Sequence, residues 1–265
     1  MIRIKMHSIY DHFPDLHPLP DEPYVDCYSD HKIEECTEYH KNNIAMLFEP
    51  KSLLPDAYEF VMNHADRFRY IFTHDSELLR LPNARMLLWA DVWHTSDCEK
   101  TRGISLVSSW KDWCPLHKAR LELAWQFECS DRVDDVDVFG SYKDKEAWTE
   151  ASVALDEYRF SIIIENDIDD YWYTEKILNC FATKTVPIYV GATRIGDVFN
   201  TDGIIRVDNW KAIPEIVRTL NTEYEYNTRI SAINDNYERV KAYQMPWKQR
   251  FLSDYYHLLK EVQNG

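Results

Sequence analysis

The sequence predicts an α/β chain of two domains, each built on a parallel sheet, and three observations predict it. Short apolar, β-branched runs alternate with longer stretches of helical periodicity, the pattern of βαβ units. Ile162-Ile163-Ile164 is apolar without alternation, as a strand buried on both faces requires. The polar segment 95–102 (TSDCEKTR) interrupts the alternation, which restarts after it. The chain therefore divides near residue 100 into a small first domain, 1–100, and a second, 101–265, that carries the C-terminal helices. Two such domains are expected to face each other across a cleft, with function gathered at the carboxyl ends of the strands.

In chain order, the first domain offers strands at 2–6, 43–48, 69–73 and 85–89, with a helix over 55–66. Residues 10–23 hold four prolines and several acids and read as an irregular loop. Past the polar segment come a strand at 104–108, a helix at 115–127, a strand at 136–139 and a helical stretch at 143–156. The strand at 160–164 and a helix at 174–184 follow, then strands at 186–190 and 204–207. The remainder is helical, with a last helical stretch over 247–262.

Composition bounds the function. With 45% hydrophobic and 28% charged residues, the 265-residue chain fits an ordinary globular protein. Its six glycines argue against a Gly-rich phosphate loop as the binding device. The net charge of −15 argues against nucleic acid and anionic membrane surfaces as partners. An anionic substrate would then need a few basic residues gathered locally. Six cysteines form no C-x-x-C pair, the histidines form no H-E-x-x-H motif, and Asp134-Asp135-x-Asp137 reads as a solvated acidic turn, so no metal site is expected. The segment MIRIKMHSIYDHF holds no apolar signal region, and no run approaches 18 apolar residues, so a cytoplasmic protein with reduced thiols is expected.

The segment 160–190, FSIIIENDIDDYWYTEKILNCFATKTVPIYV, carries the most chemistry. A buried strand ends in Glu165-Asn166, and a loop of acids and aromatics leads to Thr174, an N-cap for a helix whose inward face is Ile177, Leu178 and Phe181. Glu175 and Lys176 then fall in the first turn, beside unpaired backbone N–H groups that favour an anion. A lysine there is mildly unfavourable, by about 0.3–1 kcal/mol, unless it meets a phosphate. Arg120, on the helix after the strand at 104–108, is similarly placed for a phosphate. His74 and Asp75 end another strand, as a loop cap or as lining of an acceptor site.

Phe160-x4-Glu165-Asn166, Thr174-Glu175-Lys176 and Val186-Pro187-Ile188-Tyr189-Val190-Gly191 together resemble the donor-binding signature of the α1,3-fucosyltransferases of glycosyltransferase family 10. Ser108-Ser109 followed by Ala119-Arg120-Leu121 is similar to the segment where that family carries an arginine for the donor diphosphate. Val136-Asp137-Val138-Phe139-Gly140 resembles its next strand and turn, near the nucleotide base. Phe48-Glu49-Pro50-Lys51-Ser52 resembles its Phe-Glu-Ser-Pro patch, where a glutamate deprotonates the acceptor hydroxyl.

The resemblance implies a fold of the glycosyltransferase B type, with two Rossmann-like domains and GDP-fucose held mainly by the second. It implies inverting transfer of fucose to a glycan hydroxyl, with α1,3 linkage. Glu49 is the implied base, and Arg120, Glu165, Asn166, Trp172, Tyr173, Thr174, Glu175, Lys176 and Gly140 the donor-binding residues. No cofactor or metal is implied, and the partners are a nucleotide sugar and a glycan. Members that reach the Golgi carry an anchor and stem, and some bacterial ones basic tails; without either, a soluble microbial or viral enzyme is expected. One position departs. Trp172 stands where the family has the tyrosine of Tyr-x-Thr-Glu-Lys, and an indole supplies no phenol hydroxyl. That leaves open transfer of another nucleotide-linked sugar, or a non-catalytic nucleotide- or glycan-binding protein.

Overall fold

Side chains of a strand point alternately to two faces, so a sheet with apolar residues on both needs cover on both. The first of two units in the computed structural model, which describes residues 1–129, 136–147 and 149–265, shows how this chain supplies it. Strands β1 (Ile4–His7), β2 (Val25–Ser29) and β3 (Asn43–Met46), helix α1 (Pro55–Asn63), then β4 (Tyr70–Thr73) and β5 (Ala84–Met86) build a sheet in the order β1-β2-β3-β4-β5, every pair parallel. Ala45, Leu47 and Ile71 turn to Ala57, Tyr58 and Val61 of α1. Ile44, Met46 and Phe72 turn the other way.

The second unit contains β6 (Arg102–Val107), α2 (Pro115–Glu128), β7 (Val136–Phe139), α3 (Ala151–Leu155), β8 (Tyr158–Ile164), α4 (Glu175–Ala182), β9 (Val186–Val190) and β10 (Ile205–Arg206). Helices α5 (Ile213–Thr219), α6 (Thr222–Thr228) and α7 (Ile230–Val240) follow. Its sheet, also parallel throughout, runs β10-β9-β8-β6-β7. The chain builds outward from β6 to β7, then crosses back to lay β8 on the other side of β6. Between β6 and β8 the direction of winding reverses, and there an open α/β sheet parts to leave a ligand crevice. Ile162 and Ile164 are buried in the core with Ile104, Leu106, Val186 and Ile188, as the apolar run predicts.

The expected division of the chain needs correction. The first unit comprises Met1–Trp89, Asp170–Trp172 and Met245–Gly265, and the second Ala90–Asp169 and Tyr173–Gln244. Helices α8 (Trp247–Asp254) and α9 (Tyr256–Asn264) therefore belong to the first sheet, not the second. In a parallel sheet whose strands follow sequence order, right-handed crossovers all fall on one face. The opposite face stays bare until Trp247, Phe251, Leu259 and Val262 cover Ile44, Met46 and Phe72.

Other elements differ in detail. β2 escaped the pattern because its two apolar residues, Val25 and Cys27, alternate with polar ones, of which Asp26 pairs with His7 at 2.8 Å. Within 143–156 only α3 is helical; the Asp144 carboxylate takes the amide of Glu146 at 3.1 Å, a local bond that competes with helix, and residue 148 lies outside the described residues. Asp134 and Asp135 of the acidic turn also lie outside them.

Candidate active site

The β6–β8 reversal in the second unit opens a cavity of about 380 Å³. Val107 ends β6 and Ile164 ends β8, and both line it, with Asn166 just beyond. Arg120, Glu175 and Lys176 complete the charged part of the wall. Four of the donor-binding residues expected from sequence therefore meet in one place, at the carboxyl ends of the two central strands.

Each is positioned by a traceable bond. The Thr174 hydroxyl accepts the Lys176 amide at 3.4 Å and so caps α4, as expected. Glu165, fully buried, accepts the Thr174 amide at 3.0 Å with one carboxylate oxygen and its hydroxyl at 2.8 Å with the other. The Lys176 ammonium reaches the Thr174 hydroxyl at 3.0 Å and lies 3.4 Å from both Glu165 and Glu175. Glu165 is thus the anchor under the cavity, through which the start of α4 is tied to the end of β8. Burial raises the Glu165 pKa, with Lys176 pulling it down. Partial burial works against the Lys176 charge, but Glu175 and Glu165 outweigh it and hold its pKa above the ordinary lysine value.

Arg120 is 7% exposed and donates to the Ile164 carbonyl at 2.5 Å and to the Asn166 side chain at 3.4 Å. Burial lowers its pKa against the countering Glu165, yet a guanidinium stays charged. These two bonds, from a group with five N–H donors, fix the fork in place at the strand end.

The other expected donor residues sit elsewhere. Gly140, with φ of +99°, follows β7, and a Cβ there would lie 2.2 Å from the Ser108 carbonyl oxygen, so this turn admits glycine alone. Tyr173 shares a 2.7 Å hydroxyl–hydroxyl bond with Tyr243 in the interior of the second unit. Trp172 is buried in the first unit and donates its indole N–H to the Phe48 carbonyl at 3.2 Å. Neither Trp172, Tyr173 nor Gly140 lines the cavity. Residues the sequence reading passed over do line it: Lys111, between β6 and α2, His117 of α2 and Asn179 of α4, beside Ser109 of the Ser108-Ser109 pair. Their signal was position, since these segments follow the two central strands.

In the first unit, Glu49 lies half-buried just past β3, with its backbone held on both sides. Its carbonyl accepts the Tyr58 hydroxyl at 2.7 Å, and its amide lies 3.4 Å from a carboxylate oxygen of Asp30. With its one hydrogen donated to the Glu49 carbonyl, the Tyr58 hydroxyl accepts from His74 Nε2 at 3.0 Å. His74 is a neutral imidazole, pushed down to about 3 by burial. It ends β4 as a strut behind the Glu49 loop.

Asp30 is a second carboxyl that sequence reading missed. It is 9% exposed, has a left-handed backbone with φ of 46°, and accepts the Phe48 amide at 2.9 Å. Burial pushes its pKa up to about 7, with the two amides pulling down and Glu49 pushing up. A carboxyl raised in the fold stabilises it while protonated, and that contribution is lost as pH climbs from about 4 through about 7. Asn tolerates the same backbone and keeps an acceptor oxygen. Asp30→Asn is therefore expected to gain on the native chain by roughly 2–4 kcal/mol between pH 5 and pH 8. Chemical denaturation at the two pH values measures this, and an unchanged difference between the two proteins would sink the assignment.

Among the described residues, no cluster of three or more His, Cys, Asp or Glu side chains is arranged to hold a metal ion, and no helix is long and apolar enough to cross a membrane. The six cysteines are free thiols.

Comparison with known proteins places the chain in a family and a fold. The family model of glycosyltransferase family 10 (fucosyltransferase), C-terminal region, matches residues 99–252, more than half of the chain. The α-(1,3)-fucosyltransferase FucT of Helicobacter pylori is 30% identical over 63 residues, a match that covers 24% of this chain and 13% of that protein. A crystal structure of an α1,3-fucosyltransferase with GDP superposes with a TM-score of 0.59 at 14% identity, over 98% of this chain and 90% of that one. A second α1,3-fucosyltransferase structure gives 0.55 at 13% identity over the same shares. At such identities the likeness is one of fold, the two-sheet architecture of the glycosyltransferase B type.

Proposed function

The chain belongs to glycosyltransferase family 10, the fucosyltransferases, and from that premise we propose that it transfers fucose from GDP-fucose to a hydroxyl of a glycan acceptor, with inversion and in α1,3 linkage. The observation that carries the reading is the cavity at the β6–β8 reversal, where Lys111, Arg120 and Lys176 outnumber the one lining carboxylate, Glu175, in a chain of net charge −15. That local excess of cations is what an anionic donor needs. Its fold relative was crystallised with GDP.

In the proposed reaction the acceptor oxygen attacks the anomeric carbon as the bond to the diphosphate breaks. Glu49 takes the acceptor proton, and the electron pair of the breaking bond leaves with GDP. Arg120 and Lys176 oppose the charge growing on the departing diphosphate, aided by the N-terminus of α4. Because Arg120 is already fixed by Ile164 and Asn166, it stabilises that charge without reorganising. Glu175 and Asn166 hold donor hydroxyls. An oxocarbenium-like transition state is expected, as in other glycosyl chemistry. With the charge met by side chains, the reaction needs no metal or cofactor.

Calorimetric titration of GDP-fucose, GDP-mannose, UDP-glucose and GDP without metal, with donor hydrolysis assayed in the same samples, tests the proposal. GDP and GDP-fucose are expected to bind and UDP-glucose to stay silent. Binding of a different nucleotide sugar instead would overturn the fucose assignment, the alternative that the Trp172 departure leaves open. No binding by any of the four would overturn the enzymatic reading of the cavity.

A further inference from the structure

We propose that His117 is a ligand-contacting residue of the β6–β8 cavity, its Nδ1 accepting a hydrogen bond from a hydroxyl or N–H group of the bound nucleotide sugar. This rests on the reading of the cavity as the nucleotide-sugar site and adds a residue outside the motifs that carry the family resemblance.

His117 lies on α2, one helical turn before Arg120, and lines the cavity although it is only 3% exposed. Its Nδ1 has no hydrogen-bond partner among the described residues. Other buried polar atoms share that condition, but none of them belongs to a residue that lines this cavity. Buried polar groups in folded proteins are nearly always satisfied, so an unsatisfied atom in a side chain that lines a cavity asks for a partner that arrives from the cavity.

The state of the ring defines that partner. A hydrogen bond to Asn166 favours the protonated ring, so His117 donates there, and with Nδ1 unpartnered the donating atom is Nε2. Nδ1 is then a bare lone pair. Burial first, and then the Arg120, Lys111 and Lys176 cations, push the imidazole down to about 4, so it stays neutral and stays an acceptor at physiological pH. A bare lone pair repels the oxygens of a phosphate, which are acceptors themselves, and attracts a neutral donor. The wall therefore divides its work. Cations take the diphosphate, and His117 takes a hydroxyl or N–H of the nucleoside or the hexose.

Lys111 supports the division. It lines the cavity, lies over the exposed Trp113 ring at 4.7 Å, and makes no ion pair among the described residues. Arg120 and Lys176, by contrast, are held by internal partners. A cation of this kind serves a phosphate and leaves the lone pair of His117 for a different group.

The test compares the native chain with His117→Phe and His117→Asn, titrated by calorimetry with GDP-fucose, GDP and inorganic pyrophosphate. Phe fills the space and removes the acceptor, whereas Asn places its amide oxygen where Nδ1 stood. His117→Phe is expected to bind the nucleotide roughly 10- to 100-fold more weakly, with pyrophosphate affinity unchanged and His117→Asn within a few-fold of native. Loss with GDP as well as GDP-fucose assigns the contact to the nucleoside, and loss with GDP-fucose alone assigns it to the hexose. Equal nucleotide affinity in all three proteins, or a parallel loss of pyrophosphate, overturns the inference while leaving the cavity reading intact. If the native chain bound none of the nucleotides, the cavity reading and this inference would fall together.

Discussion

Glu49→Gln is expected to abolish transfer while leaving GDP binding at the native level. The substitution exchanges one carboxylate oxygen for an amide of the same size, so it removes the proton acceptor and one negative charge while keeping the shape. A positioned general base contributes about 10²–10⁴-fold, and kcat should fall by that factor. The backbone of the loop has reason to stay put. Its carbonyl is tied to Tyr58, Tyr58 to His74, and its amide to Asp30, bonds that run from the Glu49 backbone and that a change of side chain leaves in place. Nucleotide affinity should hold because the cavity proposed for the donor is lined wholly by the second unit. Steady-state transfer assays beside GDP calorimetry check both halves. Near-native turnover in the variant would remove Glu49 from the mechanism, and a collapse of GDP affinity would mean that it acts through binding.

The largest expected loss of stability is that of Glu165→Ala. Glu165 accepts three donors from the start of α4, namely the Thr174 amide, the Thr174 hydroxyl and the Lys176 ammonium. Truncation leaves the buried amide and hydroxyl without that acceptor and the ammonium with Glu175 alone among its carboxylates. Breaking a buried ion pair from one side costs about 3–5 kcal/mol, and because the Lys176 side chain is 28% exposed the lower end applies. A loss of about 3 kcal/mol corresponds to a fall of roughly 6–12 °C in Tm for a chain of this size. Glu165→Gln keeps the shape and one carbonyl oxygen and should lose about 1 kcal/mol. Thermal denaturation of the two variants separates these values. A Glu165→Ala protein as stable as the native chain would show that α4 is held by its packing, through Ile177, Leu178 and Phe181, and not by the carboxylate.

Much of this was legible in the sequence where the pattern is local. The strands Val136–Phe139 and Val186–Val190 fall where the apolar runs place them, and Thr174 caps its helix because a hydroxyl before an apolar-periodic segment satisfies an otherwise unpaired amide. Arg120, Asn166, Glu175 and Lys176, which line the cavity, lie on the segments and helices that follow the buried strands β6 and β8, where the sequence pattern puts them. Trp172 and Tyr173 do not line it, although they adjoin Thr174 in the sequence. They follow one another along the chain, yet Trp172 packs with the first unit and Tyr173 with the second.

What the sequence determined by itself is the class of fold, the parallel strands and the charged cluster around residues 165–176, because period, propensity and capping act over a few residues. What only the tertiary structure decided is which surfaces meet. An amphipathic helix states that it has an apolar face but not which sheet that face will cover, so α8 and α9 could be assigned to the first unit only once the bare side of its sheet was seen. The same holds for Asp30 and His117. Each is an ordinary residue in the sequence, and each acquires its chemistry from burial and from neighbours far along the chain, Glu49 for the one and Asn166 for the other. Burial is a property of the packed molecule, and no local pattern encodes it.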